Sequence, residues 1–274
     1  MKNRTLILLI AFGLVALGVV LGQVMLFVTQ KPSHSISPEA LKLALQEKPL
    51  KHLGIIMDGN RRWAQSQGLK PWIGHRKGVD SIKETLQFCK EYAVPELTLY
   101  VFSLENFNRP PEELSFLFDI LAQEIASHEM ENLFKEGVRV RFIGDRALFP
   151  QKLVPLITDI EQKTAQHTNL TLNLLFCYGG QQEMAAAARA ITARTSAEEF
   201  ANWEQFKKYL WSAELPNIDL VIRTAGDQRL SNFLPMQSAY SELYFTPCLW
   251  PEMRKEDLMQ AAEFFVNCKR NFGK

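Results

Sequence analysis

The chain reads as an α/β protein with a central parallel sheet wrapped by helices and preceded by one N-terminal hydrophobic helix. Three observations predict this. Short β-rich runs alternate with longer helical patterns over most of the 274 residues. Runs such as Leu53-Gly54-Ile55-Ile56-Met57 contain no polar side chain, as strands covered on both faces require. Clusters of acids, arginines and amides follow directly on those runs, at the carboxyl edge where such sheets bind ligands.

In chain order, the first element is the stretch Leu6 to Val28, which carries no charge and one polar side chain, Gln23. As a helix, about 20 such residues rise ~30 Å, the thickness of a bilayer's hydrocarbon core. The run exceeds the roughly 7–15 residues of a signal-peptide core, and no A-x-A site follows it. Residues 1–30 are therefore expected to form a single-pass transmembrane anchor. Lys2 and Arg4 precede it while Lys31, Lys42, Lys48 and Lys51 follow, so charge asymmetry leaves its orientation open. Residues 31–50, with Pro32, Ser33, Ser35, Ser37 and Pro38, read as a linker with room for a short helix, and 51–274 as the main domain.

Within that domain, strands are expected at Leu53–Met57, Leu97–Ser103, Val138–Ile143, Leu170–Cys177 and Leu220–Arg223. Helices are expected at Gly78–Tyr92, Glu112–Lys135, Gln151–His167, Gln182–Arg194, Trp203–Leu210 and Glu256–Asn267. Helical connections between strands favour parallel pairing. Pro110 and Pro111 stop the second strand and launch the helix at Glu112.

A formal charge of +1 and the absence of any Lys/Arg-rich run argue against a nucleic-acid partner. Cys89, Cys177, Cys248 and Cys268 are widely spaced and form no C-x-x-C pair, which disfavours a structural zinc site. They read as small buried hydrophobes in a reducing compartment.

Three polar clusters carry the chemistry. The first, Asp58-Gly59-Asn60-Arg61-Arg62-Trp63, follows the first strand. Gly59 lets the backbone approach a ligand, free amides of the next helix turn cradle phosphate oxygens, and Arg61 and Arg62 add charge-assisted bonds. Asp58 can meet a phosphate only through a cation such as magnesium. His75, in Gly74-His75-Arg76-Lys77-Gly78, sits near a helix start where a phosphate contact is feasible. The second cluster places Ser103, Asn106 and Arg109 on one loop, with Phe102 and Phe107 between them. The third runs from Asp219 to Phe233, with Arg223, Arg229 and Ser231 suited to a second diphosphate. Glu242 lies in an aromatic run, where a lone acid is costly to bury unless paired or metal-bound.

Seven blocks, HLGIIMDGNRRWAQSQG, GHRKG, YVFSLENFNRP, RFIGD, LNLLFCYGG, DLVIRTAGDQRLSNFLPMQSAYSELYF and CLWPEM, occur in the order found in cis-prenyltransferases. From about residue 52 to the C-terminus the chain resembles that family, the undecaprenyl diphosphate synthases. The resemblance implies a transferase that condenses isopentenyl diphosphate with an allylic diphosphate such as farnesyl diphosphate, with cis geometry and Mg2+. It implies a homodimer with an apolar tunnel for the growing chain, and substrates that place the catalytic domain on the cytosolic side of a membrane. By resemblance, Asp58 is the magnesium-binding acid and Gly59, Asn60, Arg61 and Arg62 hold the allylic diphosphate. Trp63, His75, Ser103, Leu104, Glu105, Phe107 and Arg109 match further substrate contacts, and Asn106 falls where the family is assigned its proton acceptor. Arg223, Arg229, Leu230 and Ser231 resemble the isopentenyl diphosphate site, with Glu242 as a second metal ligand. Four positions depart from the family pattern: Pro71 replaces an arginine, Phe107 a tryptophan, Gln228 a histidine and Asn271 an arginine.

The helix Glu112–Lys135 carries an apolar arc wider than one buried stripe, with Leu114, Leu117, Phe118, Leu121 and Ile125 and, on a neighbouring face, Phe116 and Ile120. Core packing is the first reading of it, and the sharper one is that part of the arc lines the product tunnel, with Leu121 the position to test. A non-catalytic membrane-anchored subunit is the alternative, but such partners lack the acid and arginine motifs kept here. A metal-dependent phosphohydrolase fits less well, because the paired D-x-D of a common aspartyl-nucleophile family is absent.

Overall fold

The computed structural model describes residues 36–193 and 202–270. Strands β1 (His52–Ile56), β2 (Glu96–Ser103), β3 (Val138–Ile143), β4 (Leu170–Tyr178), β5 (Leu220–Arg223) and β6 (Glu242–Phe245) form one sheet in the order β3-β4-β2-β1-β5-β6. Every pair is parallel. The described helices are α1 (Pro38–Glu47), α2 (Asn60–Ser66), α3 (Ile73–Glu91), α4 (Pro111–Ile125), α5 (His128–Lys135), α6 (Val154–Thr164), α7 (Gly180–Thr192), α8 (Trp203–Lys207) and α9 (Lys255–Asn267).

All of β1 is buried, as its unbroken apolar run requires of a central strand with helices on both faces. The chain leaves β1 for β2 on one side, and β5 returns to pair on the other. The carboxyl ends of β1 and β5 therefore flank a topological switch point, the crevice where open α/β sheets hold ligands. Beneath it, Ile56, Val221, Phe233, Leu234 and Tyr178 form one apolar cluster that fixes both strand ends.

The structure departs from expectation at four places. The helix expected over Glu112–Lys135 is broken at Ser127, whose Oγ accepts from the Met130 amide (3.3 Å) and starts α5 afresh. Strand β6 is additional. It stays half exposed at the sheet edge, so its sequence lacks the uniform apolar run of a central strand. The compact unit begins at Pro38, ahead of position 51. In α1, Leu41 and Leu45 are buried, and Lys48 Nζ donates to the carbonyls of Phe265 (2.7 Å) and Cys268 (2.5 Å) at the end of α9. Finally, the expectation of a single-pass membrane protein is withdrawn. Among the described residues no helix is long and apolar enough to cross a membrane, and the charge-free stretch at 6–28 lies outside them.

Candidate active site

Asp58 is set by three elements at once. Its carbonyl accepts from Thr224 Oγ1 (2.6 Å), just past β5, and from the Trp250 amide (3.0 Å), while its own amide donates to Thr224 Oγ1 (2.9 Å). Its carboxylate accepts from the Gly59 amide (2.7 Å) and Arg223 Nη2 (3.0 Å), and Arg62 Nη2 lies 3.4 Å away. Burial opposes ionisation of Asp58, but the Arg223 hydrogen bond, the Gly59 amide and the charges of Arg223 and Arg62 outweigh it and hold the carboxyl below its ordinary value. Gly59 has φ +103°, and a Cβ there would lie 2.9 Å from Leu249 Cδ2 and 3.0 Å from Ala225 Cβ, so the tight turn requires glycine. The G-H-R-K-G spacing has a similar cause: a Cβ on Gly74 would sit 1.9 Å from the Asn60 carbonyl oxygen, so α3 rests directly against the start of α2.

That approach carries His75 into the site. Its Nε2 lies 3.4 Å from Arg109 Nη1 and accepts that hydrogen bond, which leaves the proton on Nδ1. Burial, then the charges of Arg109 and Arg61, depress the His75 pKa to about 3, so its 4.0 Å approach to Glu113 is not an ion pair. Glu113, in the first turn of α4, is fully buried. Its Oε1 accepts from Arg109 Nη1 (3.2 Å) and lies 3.7 Å from Arg61 Nε, while Oε2 is buried without a hydrogen-bond partner. Sequence reading missed Glu113. The available signal was its i,i+4 spacing from Arg109 across the Pro110-Pro111 helix start. Asn106 Oδ1 accepts from the Ser103 amide (3.2 Å), which orients the Asn106 side chain on the 3₁₀ turn Leu104–Asn108.

At the carboxyl end of β5, the buried Arg223 donates through Nη1 to the Arg229 carbonyl (2.5 Å) and Ser231 Oγ (2.7 Å), and through Nη2 to Asp58. Asp227, also unassigned by sequence reading, gathers Arg229 (2.9 Å), Arg62 (3.6 Å) and Arg223 (3.6 Å). This loop holds Ala225, Ser231, Asn232 and Leu234 at positive φ, local strain of the kind found where a binding geometry is over-determined by its surroundings.

Some expected contacts have other occupations. Glu105 Oε1 accepts from Asn232 Nδ2 (3.0 Å) and ties the second cluster to the third. Leu230 packs against the core cluster, and Phe107 stacks edge-on to Phe102 at 5.0 Å. Trp63 is half-buried on α2, and Leu104 is half-buried on the 3₁₀ turn. Lys70, beside Pro71, lies over the Trp72 ring at 5.3 Å, Gln228 is exposed, and Asn271 is outside the described residues.

Glu242 is not part of this constellation. It pairs in register with Leu220, at the amino end of β5, whereas Asp58 lies beyond Ile56, which pairs with Arg223 at the carboxyl end. Three residues of strand and two strand spacings put the Cα atoms of Ile56 and Glu242 ~14 Å apart, and Asp58 lies two residues beyond Ile56. Glu242 instead meets Arg270 (3.7 Å). Within one chain, the expectation that Asp58 and Glu242 share a cation is corrected.

Two cavities meet at the switch point. A polar one of about 420 Å³ is lined by Asp58, Gly59, Arg61, Arg62 and Gln65, and an apolar one of about 550 Å³ extends between α3, α4 and the sheet. Met57, Asn60, His75 and Arg109 line both. In the second, Leu117, Phe118 and Leu121 of α4 are walls. Fold and site together define an α/β protein that receives a ligand with an anionic head and a long apolar tail.

The family model "putative undecaprenyl diphosphate synthase" matches residues 56–273. A geranylgeranyl-diphosphate-specific tritrans,polycis-undecaprenyl-diphosphate synthase of Methanopyrus kandleri is 40% identical over 90% of this chain and 93% of that protein. An isoprenyl transferase of Thermotoga maritima is 42% identical over 81% and 96%. Among solved structures, lavandulyl diphosphate synthase from Lavandula x intermedia, in complex with dimethylallyl diphosphate, aligns with a TM-score of 0.78 at 31% identity, covering 82% of this chain and 98% of that one. The chain belongs to the undecaprenyl diphosphate synthase family of cis-prenyltransferases.

Proposed function

We propose that the chain condenses isopentenyl diphosphate with an allylic diphosphate to build a cis-polyprenyl diphosphate, with the head group at Asp58 to Arg62 and the tail in the adjoining apolar cavity. The observation that carries this assignment of residues is the junction of the two cavities, where a cationic pocket opens through Met57, Asn60, His75 and Arg109 into an apolar channel.

An allylic carbon releases diphosphate only when the departing charge is stabilised. Arg61, Arg62 and Arg109 are preorganised to do this, held by Asp58, Asp227 and Glu113 before substrate arrives. Neutral His75 offers a hydrogen bond without adding charge. Arg223, Arg229 and Ser231 lie across Asp58 from this group and suit the second diphosphate. The incoming alkene attacks the carbon as the diphosphate leaves, and Asn106, fixed by the Ser103 amide, orients the proton that is lost; an amide is too weak a base to act alone, so a diphosphate oxygen is its natural acceptor.

Asp58 is a partly exposed carboxylate on the polar cavity, and among the described residues no three acid, histidine or cysteine side chains come together. The carboxylate alone suits magnesium, which is commonly held by one or two carboxylates plus substrate phosphates. Bound there, the ion would neutralise phosphate charge. A second copy of the chain is proposed to pair along β6, where Leu243, Tyr240 and Phe264 are exposed; light scattering on the purified protein checks it.

The deciding experiment incubates the protein with magnesium, farnesyl diphosphate and labelled isopentenyl diphosphate. Chain extension is expected. Asp58→Ala should lower turnover by at least ~10²-fold with the fold intact, and near-normal turnover in that variant would remove Asp58 from the mechanism.

A further inference from the structure

One whole face of α3 forms a wall of the apolar cavity: His75, Val79, Ile82, Leu86 and Lys90 recur at helical spacing. At about 1.5 Å per residue, that wall runs ~22 Å from the head-group pocket to the last turn of the helix. The wall changes character along its length. Val79, Ile82 and Leu86 are its apolar residues, Lys83 and Gln87 also line the cavity, and the wall ends in Lys90, which pairs with Glu136. Glu136 lines the same cavity and stands at the junction of α5 and β3. Its backbone is held on both sides. The Glu136 amide donates to the Asn132 carbonyl (3.0 Å), its own carbonyl accepts from Asn169 Nδ2 (2.8 Å), and Gly137 turns the chain with φ +71°.

We infer that the Lys90–Glu136 ion pair closes the far end of the cavity and sets the length at which chain growth stops. This rests on the reading that the cavity holds the growing tail. A terminal isoprenyl unit that reaches the pair must separate or desolvate two charges, which hydrocarbon cannot solvate in return. Each further condensation then meets a rising barrier, while the head-group chemistry ~22 Å away is unchanged. The side chains of Lys90 and Glu136 are 34% and 48% exposed, and exposed pairs of this kind add little to stability, so their replacement leaves the fold intact.

Product lengths from three variants test both levels. Leu121→Trp narrows the cavity midway and should shorten the product; unchanged length there overturns the tail reading itself. If Leu121→Trp does shorten the product, the double variant Lys90→Leu/Glu136→Leu should shift the main product upward by at least one five-carbon unit, with the rate of the first condensation within about twofold of the parent. The swapped pair Lys90→Glu/Glu136→Lys should restore the parent length. A double leucine variant that keeps the parental distribution, or a swapped pair that behaves like it, overturns the stop.

Discussion

Replacing Glu113 by Gln keeps the side-chain shape and removes one charge from the centre of the head-group site. Glu113 Oε1 lies 3.2 Å from Arg109 and 3.7 Å from Arg61. At an effective dielectric of ~20, the closer pair has a gross attraction of about 5 kcal/mol, most of it offset by the cost of burying the ions. Removing one partner of a fully buried pair costs ~3–5 kcal/mol. Arg109 and Arg61 are 22% and 49% exposed, so water recovers part of that, and a loss of about 2 kcal/mol in stability is expected. The kinetic signature is more specific. The pocket becomes more positive, so the KM for the allylic diphosphate should not rise. Arg61 and Arg109 lose the acceptor that aims them, so kcat should fall ~10- to 100-fold. Steady-state kinetics with labelled isopentenyl diphosphate, run beside a thermal melt, separate the two effects. A lowered Tm with kcat within twofold of the parent would refute the positioning role and leave Glu113 as a structural residue only.

His52 is buried on β1, with Nδ1 donating to the Pro216 carbonyl (3.0 Å) and Nε2 accepting from Thr98 Oγ1 (2.7 Å), and burial depresses its pKa to about 4. Its unfolded value is about 6.5, so stability is fully present above that pH and falls as pH drops from 6.5 to 4, by up to about 3 kcal/mol. Denaturant titrations at pH 7 and pH 4.5 should show that loss, and His52→Asn should flatten part of it; an unchanged pH profile would contradict the assignment. For Gly74→Ala, the new methyl carbon would sit 1.9 Å from the Asn60 carbonyl oxygen. Backbone must move to admit it, so a destabilisation of about 3 kcal/mol is expected, with loss of activity even where the variant folds. An unchanged denaturation midpoint would show that α2 and α3 have more freedom than their contact suggests.

The parts of the fold that were legible are those where one local cause dominates. Strands β3 and β5 match their expected limits and β1 differs by one residue at each end. Apolar runs mark β1 and β5 as strands covered on both faces, and the alternation Val138-Arg139-Val140-Arg141 marks β3 at the sheet edge. The break at Ser127 was hidden because apolar spacing continues across it, and only the capping bond to Met130 reveals a second helix. Glu113 was hidden for a different reason. A glutamate in the first turn of a helix is ordinary for its dipole, and its role arises only when Arg61 from α2, His75 from α3 and Arg109 converge on it. Glu242 shows the opposite error. Its aromatic surroundings left a charged partner or a cation open and the family resemblance implied the cation, but strand register, which no local pattern encodes, carries it to the amino end of the sheet beside Arg270.

The near-neutral charge of the whole chain conceals how the site is built. Five arginines, at 61, 62, 109, 223 and 229, are each held by Asp58, Asp227 or Glu113, so two positive charges remain unmatched before substrate binds. Such a site does not present bare cations to water; it offers guanidinium groups already aimed by their acids. Diphosphate oxygens then exchange with carboxylate partners instead of ordering loose side chains, so reorganisation is small at the moment the carbon–oxygen bond breaks. Two of these acids leave with different consequences. Losing Glu113 loosens aim within a buried cluster, whereas losing Asp58 also removes the cavity-lining carboxylate proposed to meet the cation. The two variants should therefore differ in their response to added magnesium: Glu113→Gln keeps the parent's dependence on it, and Asp58→Ala does not.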